Sequence, residues 1–425
     1  MKKLRLAVIG CGGRGLTYAT LAGRMPELYE VVAAADPNPA RVDRLRQASG
    51  NPAFRAFGSD AEILARDRLA DVMIIGTQDS AHFAPARQAM EKGYDILLEK
   101  PIATRPGEVL ELARIADRLG RRVLVCHVLR YTPFYRKIRE IVQSGAVGEI
   151  VTVNAIESPG PWHMAHSYVR GHWAVTEKSS PMIIAKACHD LDILSWIIDR
   201  PCLAVSSFGA LSQFTARKAP AGAPARCTDG CPAARDCPFN ALHYAGRERA
   251  WLGYVFDKEA GATPEQIREW LKTSPWGRCV YRCDNTAVDH QVVNMRFEDE
   301  VTASFTMTAF DAGRCLEIYG TKGFLTGRNE RKTENADIVL IEHHTYNRTK
   351  WDLNPLAGGY AGHGGGDPAL MEALYSEMTR PDAASMESSI QRSVQSHLMG
   401  FAAEESRKTG RIVTLAEYVK TLEPA

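Results

Sequence analysis

Short apolar runs and stretches of helical period alternate along the first 126 residues. Leu4 to Ile9, Val31 to Ala35, Val72 to Ile75, Ile96 to Leu98 and Val123 to Val125 read as buried strands. The segments between them, such as Pro106 to Leu119, repeat apolar residues three and four apart, as a helix laid on a sheet does. Strand–helix alternation of this kind predicts an α/β class with a parallel, doubly wound sheet. From about residue 149 the texture changes. Glu149 to Ile156, Val205 to Leu211, Val288 to Phe297, Val301 to Phe310 and Cys315 to Tyr319 read as longer strands, several of them alternating. Hairpin punctuation at Glu298-Asp299-Glu300 and Thr321-Lys322-Gly323 predicts a large mixed or antiparallel sheet. The division expected is therefore 1–126 and 127–425. A Pro/Gly/Cys-rich insert (212–285) interrupts the second part, with a helical piece near Pro264 to Leu271. Helices over Pro368–Thr379 and Ala384–Thr409 close the chain.

Gly10-Cys11-Gly12-Gly13-Arg14-Gly15 follows the first strand and opens a helix, giving G-x-G-x-x-G spacing. With 34 glycines in the chain the spacing alone says little; its context says more. Gly10 permits the tight turn, Gly12 lets backbone approach a pyrophosphate, and Gly15 packs helix on strand. Gly13 and Arg14 then stand where helix N–H groups and the positive end of the dipole meet phosphate. Asp36 ends the next strand, where an acid accepts hydrogen bonds from a ribose 2′-OH. Pro37 and Asn38 follow rather than an arginine, which favours NAD over NADP.

The run "YDILLEKPIAT" (94–104) ends a buried strand on Glu99, Lys100 and Pro101. In an open α/β sheet ligands bind beyond the carboxyl ends of strands, so Lys100 stands where an ammonium can hold a developing alkoxide. Together with "GTQDSAH" (76–82), "LRYTP" (129–133), the His189 helix and "ESRKTGRIVTL" (405–415), these motifs resemble the glucose–fructose oxidoreductase/inositol dehydrogenase (Gfo/Idh/MocA) family. The resemblance covers almost the whole chain except the cysteine insert. It implies a Rossmann domain followed by an α/β domain with a large open sheet, NAD(P) between them, and sugars or polyols as substrates. Lys100 would lie beside the nicotinamide, Glu99 near the cofactor, and Thr77 and His82 on the nicotinamide side. Arg130 is carried with the same cofactor group. Dimers or tetramers through the open sheet follow by analogy.

"MIIAKACHDLDILSWII" (182–198) reads as one amphipathic helix, with Ile184, Ala187, Leu191, Leu194 and Ile198 on one face. Lys186, His189, Asp190 and Asp192 fall on the other, a charged cluster expected to line a cleft. The family's histidine is preceded by an aspartate four residues earlier, but here that position is Ala185; the family's aspartate three residues later is present as Asp192. His189 remains the expected proton acceptor. Lys186 would lower the His189 pKa, carry a second proton, or grip a substrate oxygen.

"GPWHMAHSYVRGHW" (160–173) supplies Tyr168, Arg170 and Trp173 as candidate sugar contacts; His163 and His166 lack a nearby acid or cysteine to complete a metal set. "GYAGHGGGDPAL" (358–369) is a glycine-rich turn opening a helix, with His363 and Asp367 as further substrate candidates. In the insert, Cys227, Cys231 and Cys237 precede Cys279 and Cys283. Four thiolates, Cys227, Cys231, Cys237 and Cys279, would hold a structural zinc that staples a segment short of core. Iron–sulfur, free thiols or a disulfide are the other readings.

Composition narrows the function. The chain is 45% apolar and 24% charged, with a formal net charge of +2, so nothing points to nucleic acid. No apolar stretch approaches the ~18 residues of a membrane span. Arg5 interrupts the apolar run of MKKLRLAVIG, which is too short for a signal peptide, and a cytoplasmic location is expected. The expected activity is NAD-dependent oxidation or reduction at a hydroxyl carbon of a sugar, sugar derivative or cyclitol. The alternative is a redox-assisted glycosidase or lyase that oxidises the sugar only transiently. A non-catalytic sensor is disfavoured because both Lys100 and His189 are kept.

Overall fold

A computed structural model describes residues 2–256, 261–330, 335–353, 361–381 and 386–422. The first 126 residues build a six-stranded sheet: β1 (Leu4–Ile9), β2 (Tyr29–Ala35), β3 (Arg55–Phe57), β4 (Val72–Ile75), β5 (Asp95–Leu98) and β6 (Val123–Val125). Their order is β3-β2-β1-β4-β5-β6, and every pair is parallel. The order reverses direction between β1 and β4, the switch point at which such sheets hold ligands. Register makes that rim sharp: Ile9 pairs with Ile75, Ile75 with Leu98, and Leu98 with Val125. The residues that follow, Gly10, Gly76, Glu99 and Cys126, therefore emerge side by side. β3 carries no apolar signature, two of its three residues being exposed, and the apolar pattern does not reveal it.

The second sheet has nine strands: β7 (Ile150–Pro159), β8 (Cys202–Ala210), β9 (His290–Phe297), β10 (Thr302–Thr308), β11 (Ala312–Gly320), β12 (Gly323–Glu330), β13 (Asn335–Glu342), β14 (Arg348–Asp352) and β15 (Val413–Thr414). β10 runs parallel to β7 and all other pairs are antiparallel, so the sheet is mixed. The punctuation at 298–300 and 321–323 makes the β9–β10 and β11–β12 hairpins. β9 alternates strictly, burying Gln291, Val293, Met295 and Phe297 while Val292, Asn294 and Arg296 face outward. One sheet face is thus core and the other is open.

The stretch 182–198 is not one amphipathic helix. It forms a short helix, Met182–Ala185, then breaks at Lys186 and Ala187 before Cys188–Ile198. No face is solvated: every residue of Cys188–Ile198 is buried. The reason is tertiary, because the helix is packed between β7 and the long helix Ile390–Thr409. The start expected at Ala384 lies outside the described residues; the long helix begins at Ile390, capped by Ser389. The tail also returns to the first sheet. Leu370, Met371, Leu374 and Met378 of the helix Gly366–Thr379 share a core with Leu6, Val8, Tyr18 and Leu124.

Candidate active site

The rim of the first sheet begins with the glycine loop. A Cβ on Gly15 would meet the Gly10 carbonyl oxygen at 2.1 Å, and one on Gly10 would meet Thr77 N at 2.6 Å, so both positions are closed to side chains. A Cβ on Gly12 would meet nothing within 4 Å. Gly12 caps the helix Gly13–Gly23 with no side-chain hydrogen bond, so the first helical N–H groups face a space bare of side chains. This cradle fits a dinucleotide pyrophosphate. Asp36, buried at the end of β2, accepts from Cys11 N and Asn38 N at 2.8 Å each, one bond per carboxylate oxygen. Lone pairs remain on both oxygens for ribose hydroxyls.

Behind the loop, charges tie the two parts together. Arg14 donates to Glu99 at 2.7 Å and to both oxygens of Asp367 at 2.7 and 3.1 Å. Tyr18 donates to Glu99 at 2.5 Å, and His363 contacts Asp367 at 3.1 Å. Burial pushes the Glu99 carboxyl upward, but Arg14 outweighs it and holds the group below the usual range. Residues 358–360 of the glycine-rich turn lie outside the described residues. His82, buried, bridges two loops: Nδ1 lies 2.7 Å from the Pro101 carbonyl and Nε2 3.2 Å from that of Thr77. Thr77 Oγ1 donates to the Ala81 carbonyl at 2.9 Å.

The Lys100–Pro101 bond is cis. Lys100 Nζ donates to the Ala185 carbonyl at 2.9 Å. In an unbroken helix that carbonyl would be taken by the N–H of His189; the break at Lys186 and Ala187 leaves it to the lysine. His189 follows immediately and is buried. Its pKa is lowered well below the usual imidazole value, first by burial and then by the charge of Lys100. Lys186 is not among the leading causes; its ammonium pairs with Glu157 at 3.0 Å. Among the described residues the buried His189 Nδ1 has no hydrogen-bond partner. His189 also lies 6.1 Å, ring to ring, from His363 and 5.9 Å from His127.

Four charges floor this region, three of them (Glu157, Lys186 and Asp190) buried. Glu157 meets Lys186 and, at 2.9 Å, Arg314; Arg314 also reaches Asp190 at 2.7 Å. Glu157 and Arg314 are register partners on β7 and β11, a pairing that no local pattern reveals. Tyr18 stands one turn after Arg14, an i,i+4 relation that local spacing does carry.

The other candidates are engaged by neighbouring protein groups. Arg130 and Asp192 form a buried bidentate pair, with both bonds at 2.7 Å, and Arg130 also donates to the Glu387 carbonyl. Arg170 turns into the insert, donating to the carbonyls of Arg278 at 2.7 Å and Phe239 at 2.6 Å and approaching Cys227 Sγ at 3.7 Å. Tyr168 lies tilted against Trp173, 5.8 Å between rings, and the Trp173 indole N–H donates to Asp79 at 2.7 Å. His166 meets the Tyr244 hydroxyl at 2.6 Å, and burial lowers its pKa to about 3.

The zinc expectation for the insert is not supported. Among the described residues no group of three or more His, Cys, Asp or Glu side chains is arranged to hold a metal ion. Cys227, Cys231, Cys237 and Cys279 are free thiols. Nor is the segment short of core: Tyr244, Leu252, Ile267, Leu271 and Trp276 cluster with Cys227. Aromatic packing and the Arg170 bonds to the Arg278 and Phe239 carbonyls hold the segment together.

Residues 4–127 match the family described as oxidoreductase family, NAD-binding Rossmann fold, and residues 135–242 match the GFO/IDH/MocA C-terminal domain. The chain belongs to the GFO/IDH/MocA oxidoreductase family. It is 24% identical over 370 residues to YteT of Bacillus subtilis, whose name as an oxidoreductase is provisional; the match covers 84% of each chain. It is 24% identical over 198 residues to inositol 2-dehydrogenase of Corynebacterium glutamicum, covering 46% of this chain and 54% of that one. The chain thus spans about half the length of that inositol dehydrogenase. In fold it is similar to an oxidoreductase from Agrobacterium radiobacter solved with NAD+, L-tartaric acid and magnesium (TM-score 0.71, 15% identity, 98% and 100% of the two chains). Scyllo-inositol dehydrogenase of Lactobacillus casei, solved with NAD(H) and scyllo-inositol, is similar at TM-score 0.65 and 15% identity, with 98% and 100% covered. No helix among the described residues is long and apolar enough to cross a membrane.

Proposed function

We propose that the protein is an NAD-dependent dehydrogenase moving a hydride between NAD and a hydroxyl carbon of a sugar, sugar derivative or cyclitol. The observation that carries this reading is the buried, unpartnered Nδ1 of His189 next to the ammonium of Lys100. A neutral imidazole with an open lone pair accepts the hydroxyl proton at Nδ1. The Lys100 ammonium stabilises the alkoxide that forms as the carbinol hydrogen leaves. Bound NAD+ supplies the hydride acceptor, and the carbon becomes a carbonyl. Lys186 and Arg314, each already paired, orient substrate hydroxyls, and His363 closes the far side. Asp36 without an arginine directly after it favours NAD; Arg41, near enough to act on Cys11 and His172, is the residue that would favour NADP.

The test is NADH absorbance with NAD+ and a panel of free sugars, cyclitols, sugar acids and glycosides. NADH formed in step with one free substrate supports the reading. Aglycone release from a glycoside without net NADH would replace it with the redox-assisted glycosidase. A homo-oligomer built on the open sheet face fits the exposed Val151, Ile156, Phe208, Val292 and Tyr319, and light scattering of the purified protein tests it.

A further inference from the structure

An open cleft of about 500 Å³ lies outside the cluster around Lys100 and His189, between the insert and the end of the second sheet. Its walls are the rings of Trp162, Phe239 and Phe310 together with two prolines, and its polar groups are Gln213 and Glu248. Phe310 is 47% exposed, a large ring facing water with Phe214 stacked on it at 6.3 Å. Trp162 is held from behind by Tyr244, 5.1 Å between rings, and by the Arg170 guanidinium at 6.0 Å. The Trp162 indole N–H is buried and has no acceptor among the described residues. The lining is mostly apolar and the site opens broadly to solvent, with a volume in the range of ~300–1,000 Å³ usual for small-molecule clefts.

The position relates the cleft to the chemistry. β7 carries Glu157 and leads to Pro161 and Trp162, and Phe310 precedes Arg314 of β11 by four residues. Glu157 and Arg314 are the paired charges beside Lys186 and Asp190. Four residues of chain span at most ~14 Å, so Pro161 and Phe310 are tethered within that distance of the paired charges, and Trp162 one residue further. Resting on the dehydrogenase reading, we propose that this cleft is a second substrate subsite, which takes the far, neutral sugar ring of a disaccharide or glycoside. Aromatic faces suit the C–H face of such a ring, and the Glu248 carboxylate and Gln213 amide suit its hydroxyls. Glu248, only loosely paired with Arg247 at 3.7 Å, disfavours an anionic ring such as a uronate or a sugar phosphate.

The experiment titrates the full-length protein by calorimetry with glucose, cellobiose, maltose and lactose, in the wild type, Phe310→Ala and Glu248→Gln, and assays each compound for NADH. A disaccharide should bind about tenfold more tightly than glucose in the wild type. Both variants should bring that ratio towards one and leave glucose binding and turnover of a free sugar unchanged. Glu248→Gln, an isosteric change, carries the test if Phe310→Ala does not fold. No disaccharide preference, or a preference untouched by the folded variants, overturns the subsite. Disaccharide binding that responds to the variants without NADH from any compound keeps the subsite and removes the dehydrogenase reading. NADH from a free sugar without disaccharide preference does the reverse.

Discussion

The two halves of this site are made of different material. The dinucleotide half is backbone: glycines whose missing side chains let Gly10, Gly15 and Gly76 touch, a bare helix start, and one carboxylate pinned by two N–H groups. The half facing it is side chain: Lys100, His189, the Glu157–Lys186–Arg314–Asp190 cluster and the Arg130–Asp192 pair, drawn from strands and helices far apart in sequence. A backbone site is set by sterics and tolerates no added atoms. A side-chain site in low dielectric is set by charge balance, and it tolerates no lost partner.

The contrast is broken most severely by removing a partner. Asp192→Ala leaves the Arg130 guanidinium buried without its carboxylate, and we expect a loss of about 3–5 kcal/mol in urea unfolding. Gly12→Ala is the opposite case. Nothing within 4 Å opposes the new Cβ, so thermal stability should stay within about 0.5 kcal/mol of wild type. NAD binding, read by calorimetry, should weaken about tenfold or more because the methyl stands where backbone must approach pyrophosphate. If Gly12→Ala binds NAD normally, the backbone account of that half fails.

Acidification acts on the side-chain half. His127, His189 and His397 are buried, and burial lowers all three, His397 to about 4. Below their unfolded value of about 6.5 the unfolded chain binds protons that the folded one does not, so stability falls as pH drops from about 6.5 towards 4. Each histidine contributes about 1.4 kcal/mol per pH unit across its own window. His397→Gln should flatten the slope of stability against pH by about one proton. The smallest effect belongs to the ribose end: Asp36→Asn should narrow the NAD-over-NADP preference in kcat/KM, by about tenfold.

The sequence made the backbone half legible because its signals are local. Gly10 to Gly15, Asp36 and the Glu99-Lys100-Pro101 step each announce themselves within a few residues, and the strands between them carry continuous apolar runs. The side-chain half was legible only in part. His189 and Lys186 stood out as polar residues on an apolar helix, but the helix break between them depends on packing against β7 and the Ile390–Thr409 helix. Glu157 and Arg314 become partners through β7–β11 register, which no spacing in the chain encodes. Arg130 and Asp192, read as a cofactor and a substrate residue, pair with each other across 62 positions. The five clustered cysteines suggested metal because spacing counts ligands; Tyr244, Ile267 and Trp276 form a core that spacing does not show.

The most direct test of the account is Lys100→Met, assayed once a substrate yields NADH. We expect a fall in kcat of about 10²–10⁴, with the NAD dissociation constant within about threefold of wild type. A variant that keeps wild-type kcat would contradict the claim that the lysine at the end of β5 carries the chemistry.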